Sequence, residues 1–167
     1  MSMYGKLPTW IIPPSVFKEL ELDSLARYPQ EACGVLLGEI KAGTAVINEY
    51  VPLHNASGQP ERHFALEPKE WVRYCYHPRL LGLYHSHPSA PPQPSRTDLA
   101  ELPLFAGLLH LYAIGSCCPK ATLENLPEPS ASAAAFMIQG YNVIRDPQGA
   151  AALIEAELAP SIAEKRS

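Results

Sequence analysis

The chain has 167 residues and 18.3 kDa, with 47% hydrophobic and 18% charged residues, which fits one compact domain and argues against a disordered chain. Thirteen Lys plus Arg against seventeen Asp plus Glu give a net charge of −4 with no basic block, so neither nucleic acid nor an anionic membrane surface is the expected partner. Proline is the outlier: 18 residues, about 11% against an average near 5%, in short clusters without a period, the mark of several stiff loops.

The first predicted element is a helix over Ser15–Ala26. Ser15 serves as N-cap, Val16, Leu20 and Leu25 share a face, and Tyr28-Pro29 ends it. Cys33–Gly38 is an apolar run between glycines and suits a buried strand. Thr44–Leu53 and Arg62–Leu66 are further strand candidates. Pro68 opens a second helix to about Tyr76, with Glu67 at the positive end of its dipole. Leu80–His85 is a strand running into His85-Ser86-His87-Pro88. Four prolines in Pro88–Pro94 make the next loop stiff. Ser95–Leu104 reads as helix, Leu108–Ile114 as strand and Pro119–Ser132 as a long loop. Ala133–Ile138 is a strand that Tyr141–Ile144 continues, and Gly149–Leu158 favours helix. Mixed strands and helices with short connections imply an α/β or α+β domain. The expected organisation is a domain over 1–146 and a C-terminal helical tail over 147–167.

Cys33, Cys75, Cys117 and Cys118 form no CxxC pair, so reduced thiols in a cytoplasmic protein are expected. The N-terminus lacks the apolar core of a signal peptide, and no run approaches the roughly 18 apolar residues of a membrane span.

Of six histidines, only His85 and His87 lie two apart. On a strand, residues i and i+2 point to one face, so the two imidazoles can converge on one cation. Asp98, downstream on the next helix, adds an oxygen donor, and a catalytic zinc uses three protein ligands. A hydrolytic site also needs a carboxylate that is not a ligand. Glu31, just before the apolar strand, is the candidate base for water whose pKa the metal lowers. Ser95 offers a hydroxyl to a developing oxyanion.

Pro29-Gln30-Glu31-Ala32-Cys33-Gly34, followed downstream by His85-Ser86-His87, seven residues, Ser95, two residues and Asp98, resembles the signature of the JAMM (MPN+, JAB-domain) zinc metalloproteases. The resemblance covers about residues 12 to 145; Asn55, Arg62 and Pro68 match the family's stretch before the second helix, and Pro94 before the motif serine resembles the short prokaryotic members. It implies a curved, mostly antiparallel β-sheet flanked by helices, an α+β fold related to the cytidine deaminases. It also implies Zn2+ held by His85, His87 and Asp98, with Glu31 as general acid/base and Ser95 stabilising the tetrahedral intermediate. The implied activity is hydrolysis of the peptide or isopeptide bond after the C-terminal tail of a ubiquitin-like protein or sulfur carrier, by a deubiquitinase-like isopeptidase. The tail is expected to dock as an added strand.

Other readings stand beside this one. The histidines suit an ordinary strand, Ser95-x-x-Asp98 is also a helix-capping pattern, and Glu31 alone suits a solvated loop. Cys33 is an alternative nucleophile, although it opens an apolar run. His54, His63, His77 and His110 read as structural or surface residues, and Trp71, Tyr74 and Cys75 as helix packing. The Pro88–Pro94 segment contains a PxxP pattern as well as a rigid rim. A non-catalytic binding module for a ubiquitin-like tail, and a hydrolase of a small amide or amino-acid adduct on a carrier protein, are the competing functions. The C-terminal segment is a candidate for self-association as a homodimer.

Overall fold

A computed structural model describes residues 5–117 and 136–159. Strand β1 (Thr9–Ile11), unanticipated from the sequence, leads through Pro13 into helix α1 (Pro14–Arg27). Pro14 occupies the first turn, where the missing N–H costs nothing, so Ser15 sits inside the helix and no side chain caps it. Val16 and Leu20 are buried as expected, whereas Leu25 points to solvent and Ser24 takes the inward position. Strands β2 (Cys33–Lys41) and β3 (Thr44–Leu53) form a hairpin over the two-residue turn Ala42-Gly43. Both turn residues have positive φ, 50° and 81°, which matches the twist of the flanking strands.

The expected strand over Arg62–Leu66 is instead turns and loop, with a single antiparallel bridge from Asn55 to Leu66. Helix α2 (Pro68–Cys75) starts as read, with the Glu67 side chain accepting the Lys69 N–H. Strand β4 (Leu80–His87) runs two residues further than expected and carries the whole His-Ser-His segment. Helix α3 (Arg96–Glu101) is short and passes into a 3-10 turn over Leu102–Leu104, where Pro103 has no N–H to continue an α-helix. Strand β5 (Leu111–Ser116) follows. The predicted loop over Pro119–Ser132 lies outside the described residues. Strand β6 (Met137–Arg145) passes through Gly140 without a break.

The C-terminal segment departs most from expectation. Residues predicted helical over Gly149–Leu158 form strands β7 (Ala151–Glu155) and β8 (Leu158–Ala159). Asp146 sets the turn: its Oδ1 accepts the N–H groups of Gln148 and Ala150, and Gly149 has φ 84°. This returns β7 antiparallel along β6, so ladder bonds to an existing strand override the helix propensity of the alanines. The described part of the expected helical tail therefore belongs to the sheet.

Among the described residues, eight strands form one curled, mixed sheet in the order β7-β6-β5-β4-β2-β3-β1-β8. Four neighbouring pairs are antiparallel and three are parallel. β4 and β5 are buried on both faces and read as continuous apolar runs for that reason. Alternation sorts their side chains. Leu36, Tyr84, Leu111 and Ala113 pack with Val16 and Leu20 of α1. Val35, Leu83 and Tyr112 pack with Leu102 and Phe105, on the side that also receives α2 and α3. With Leu83 on this second face, period two puts His85 and His87 there as well. No helix among the described residues is long and apolar enough to cross a membrane.

Candidate metal centre

Three elements meet at the end of β4. His85 and His87 come from β4, and Asp98 from the first turn of α3. Glu31 comes from the residue pair that enters β2. His85 is fully buried, and Glu31, His87 and Asp98 are 5–7% exposed. His85 Nε2 lies 3.1 Å from His87 Nε2, and each is 3.3 Å from Asp98 Oδ2. Ligand atoms about 2.0–2.1 Å from a tetrahedral zinc stand about 3.3 Å apart, so this triangle has the dimensions of a two-nitrogen, one-oxygen metal face. Glu31 offers a carboxylate oxygen within 4.8 Å of the ring nitrogens. Its Oε2 is buried with no hydrogen-bond partner among the described residues.

The surroundings hold the imidazoles in place. His87 Nδ1–H donates to the Pro91 carbonyl at 2.8 Å, which turns the Nε2 lone pair toward the triangle when the ring is neutral. His85 Nδ1 has no hydrogen-bond partner among the described residues. Packing fixes its ring instead, flat on Phe64 at 4.4 Å between centroids and edge-on to Tyr112. The proline loop is stiff for a visible reason: Ser116, His87 and Tyr141 donate to the carbonyls of Ala90, Pro91 and Pro92. The PxxP segment is thus committed inward.

Charge is arranged to suit a cation. Burial pushes the Asp98 carboxyl up, but hydrogen bonds from His85 and His87 outweigh it and hold the group well below the usual carboxylate range. Burial lowers His85. It also acts to lower His87, where the bonds to Asp98 and Pro91 outweigh it and raise the ring. Burial pushes Glu31 up to about 7, against the opposing pull of His87. A carboxyl poised there can take and return a proton at neutral pH.

The structure brings all five expected residues together. Ser95 caps α3: its Oγ accepts the Asp98 N–H at 3.0 Å, and Asp98 Oδ2 accepts the Ser95 N–H at 2.9 Å. The capping pattern and the ligand pattern are therefore one arrangement, because the cap bond aims Oδ2 at both imidazoles. Ser95 is exposed beside Glu31, His87, Arg62 and Ser89 in a cleft of about 250 Å³. Cys33 is fully buried and its thiol is pushed up to about 12 by burial, which removes it as a nucleophile.

Residues 13–128 match the family model described as prokaryotic homologs of the JAB domain. The chain belongs to that family. Among relatives of this JAB-domain chain, the tail tip assembly protein K of Escherichia phage N15 is 36% identical over 76 residues, 46% of this chain and 29% of the relative. The desampylase of Haloferax volcanii is 36% identical over 75 residues, 42% of this chain and 52% of the relative. The matched stretch thus spans at most about half the length of these relatives. Solution structures of proteins from Desulfitobacterium hafniense and Salinibacter ruber share the fold, with TM-scores of 0.63 and 0.56. They are 21% and 22% identical, and both alignments cover 92% of this chain and 93% and 92% of theirs.

Two features of the JAB-domain site escape the motif reading. Ser86, between the histidines, is fully buried; its Oγ accepts the Ala32 N–H at 2.8 Å while its N–H donates to the Ala32 carbonyl. This sets Glu31 in register with the ligand strand, and a small hydroxyl residue between two ligands on a buried strand is a readable signal for it. His63, read as structural, bonds Glu101 of α3 at 2.7 Å and Ser57 at 2.9 Å, tying the preceding loop to the helix that carries Asp98. No sequence spacing marks that link.

Proposed function

We propose that this chain is a zinc-dependent isopeptidase or peptidase that hydrolyses the bond after the C-terminal tail of a ubiquitin-like protein or sulfur carrier. The observation that carries the reading is the triangle of His85 Nε2, His87 Nε2 and Asp98 Oδ2, with the unpartnered Glu31 carboxylate beside it. His85, His87 and Asp98 would hold the ion, and the mixed nitrogen and oxygen set suits Zn2+. Bound there, the ion supplies Lewis acidity that brings the pKa of water down toward 7.

The chain's own groups do the rest. Glu31 accepts a proton from the attacking water on its free oxygen and returns it to the departing amine. In the metal-free protein burial raises its pKa to about 7, so this carboxyl holds a proton more readily than a solvated glutamate. The Ser95 hydroxyl, with its oxygen already accepting from Asp98, keeps its hydrogen to donate to the carbonyl oxygen as charge develops there. The proline loop forms a fixed rim on the cleft, so an extended tail docks with little loop entropy lost. The desampylase match supports a ubiquitin-like substrate. Every residue of this scheme lies between Glu31 and Asp98.

The phage relative motivates a second reading, in which the same site cuts a peptide bond in a structural protein during particle assembly; that match covers slightly more of this chain, 46% against 42%. One assay separates them. The zinc-loaded protein is incubated with a ubiquitin-like fusion cleavable after its tail and with an unrelated extended peptide of equal length. Selective cleavage of the fusion, abolished by chelator and restored by Zn2+, supports the first reading. Equal cleavage of both favours the second, and no zinc-dependent cleavage of either overturns both.

A further inference from the structure

We propose that Asn55 is the positioning residue for Glu31, an inference that rests on reading Glu31 as the proton-transfer carboxylate. Asn55 is buried, and its amide is fully used on backbone groups. Nδ2 donates to the Glu31 carbonyl at 3.0 Å and to the His63 carbonyl at 3.1 Å, with the Pro60 carbonyl at the limit of 3.5 Å. Oδ1 accepts the N–H groups of Ser57 at 3.0 Å and Ala65 at 3.1 Å. Two donors and two lone pairs exhaust what a carboxamide has.

Glu31 lies before the first ladder pair of β2, which is Cys33, so the sheet does not fix it. Its carbonyl is held by Asn55, and its N–H donates to Pro60, in the loop that Asn55 organises, at 2.7 Å. The neighbouring Ala32 is held by Ser86 between the two histidines. The Glu31 backbone is thus gripped on one side by the ligand strand and on the other by a loop whose shape depends on one amide. The same loop carries Phe64, which stacks on His85. With its main chain set, the Glu31 side chain needs no hydrogen bond of its own at Oε2 and keeps that oxygen for the proton. Misplacing a reacting group by about 1 Å costs about a hundredfold in rate.

N55D keeps the shape but puts a carboxylate oxygen against two carbonyls. In the metal-free protein, amide exchange of Glu31, Ser57 and Ala65 should accelerate at least about tenfold. In the zinc-loaded protein, kcat should fall about 10- to 100-fold with KM within about twofold and bound zinc unchanged. In the E31Q background the same substitution should produce no further loss of residual turnover, because groups acting as a unit are not additive. Unchanged exchange at Glu31, loss of zinc, a rise in KM alone, or an equal loss in the E31Q background each overturns the proposal. A wild-type protein without turnover overturns the hydrolase reading instead, and the exchange measurement then decides the Asn55 role by itself. If N55D does not fold, N55S, which retains one donor and one acceptor, takes its place in every arm.

Discussion

Two concave regions invite comparison. Beneath α1, Ile12, Phe17, Ile138 and Leu158 line an apolar cavity of about 390 Å³. At the end of β4, Glu31, His87 and Ser95 line a smaller cleft of about 250 Å³. Among the described residues, a single charged group, Lys18, lines the larger cavity. The smaller one is lined by the buried Glu31 and His87, and His85 and Asp98 lie within 3.3 Å of His87 behind it. The proposed function is placed at the second region, because burying polar groups costs free energy unless a partner, a proton or a cation repays it. Volume alone would select the wrong region.

The largest expected effect comes from breaking the ligand triangle. H85A should abolish zinc binding, measured by metal content after dialysis, and lower kcat/KM at least about a thousandfold, because the proposed site offers the ion only three protein ligands. A mutation of equal size in the α1 cavity should do neither, and a comparable loss there would erase the distinction between the regions.

E31Q comes next. It should retain zinc and lose about 10²- to 10⁴-fold in kcat, the usual worth of a general acid–base group. It also carries a signed prediction for stability. In the metal-free protein the Glu31 pKa is raised by burial to about 7, so the native state keeps a proton that the unfolded chain loses near 4.5. Stability from this group is fully present below about pH 4.5 and is lost as pH rises through 7. Chemical denaturation should find E31Q and wild type equally stable near pH 4, and E31Q more stable by up to about 3 kcal/mol at pH 8. A wild type that gains on E31Q with rising pH would place the Glu31 carboxylate in a favourable rather than a desolvated environment.

The two regions also differ in how far the sequence discloses them. The site is legible because its residues obey short-range rules: a period of two puts His85 and His87 on one face, and a capping box sets Asp98 against Ser95. Both rules act within one element, so a string of letters contains them. The wall of the apolar cavity at Leu158 and Ala159 is not legible. Alanine-rich Gly149–Leu158 has the local preference of a helix, and only the presence of β6 and β1 as pairing partners makes it strand. The Asn55 loop fails for a related reason. Arg62–Leu66 reads as a strand candidate, yet a side-chain amide captures the backbone groups that a ladder would need.

S95A should lower kcat about 10²-fold through loss of the donor, and destabilise by about 1 kcal/mol through loss of the α3 cap. The two losses separate experimentally, since S95T restores the cap and the hydroxyl together while S95D restores only the cap.

The smallest effect sharpens the contrast from the other side. Ile138 is half-buried on β6 and faces the cavity beneath α1. Truncation to alanine removes apolar contacts without exposing a polar group, and the cavity is already open, so the neighbours lose little further packing. I138A should cost about 1 kcal/mol in denaturant unfolding, below the 2–5 kcal/mol of a fully enclosed Ile→Ala site. Its kcat/KM should stay within about twofold of wild type, because β5 separates β6 from the ligand strand β4 and Ile138 packs on the α1 side of the sheet, opposite the face of His85. A tenfold loss of activity in I138A, with stability and zinc intact, would mean that the apolar cavity takes part in substrate binding and that the two regions work as one.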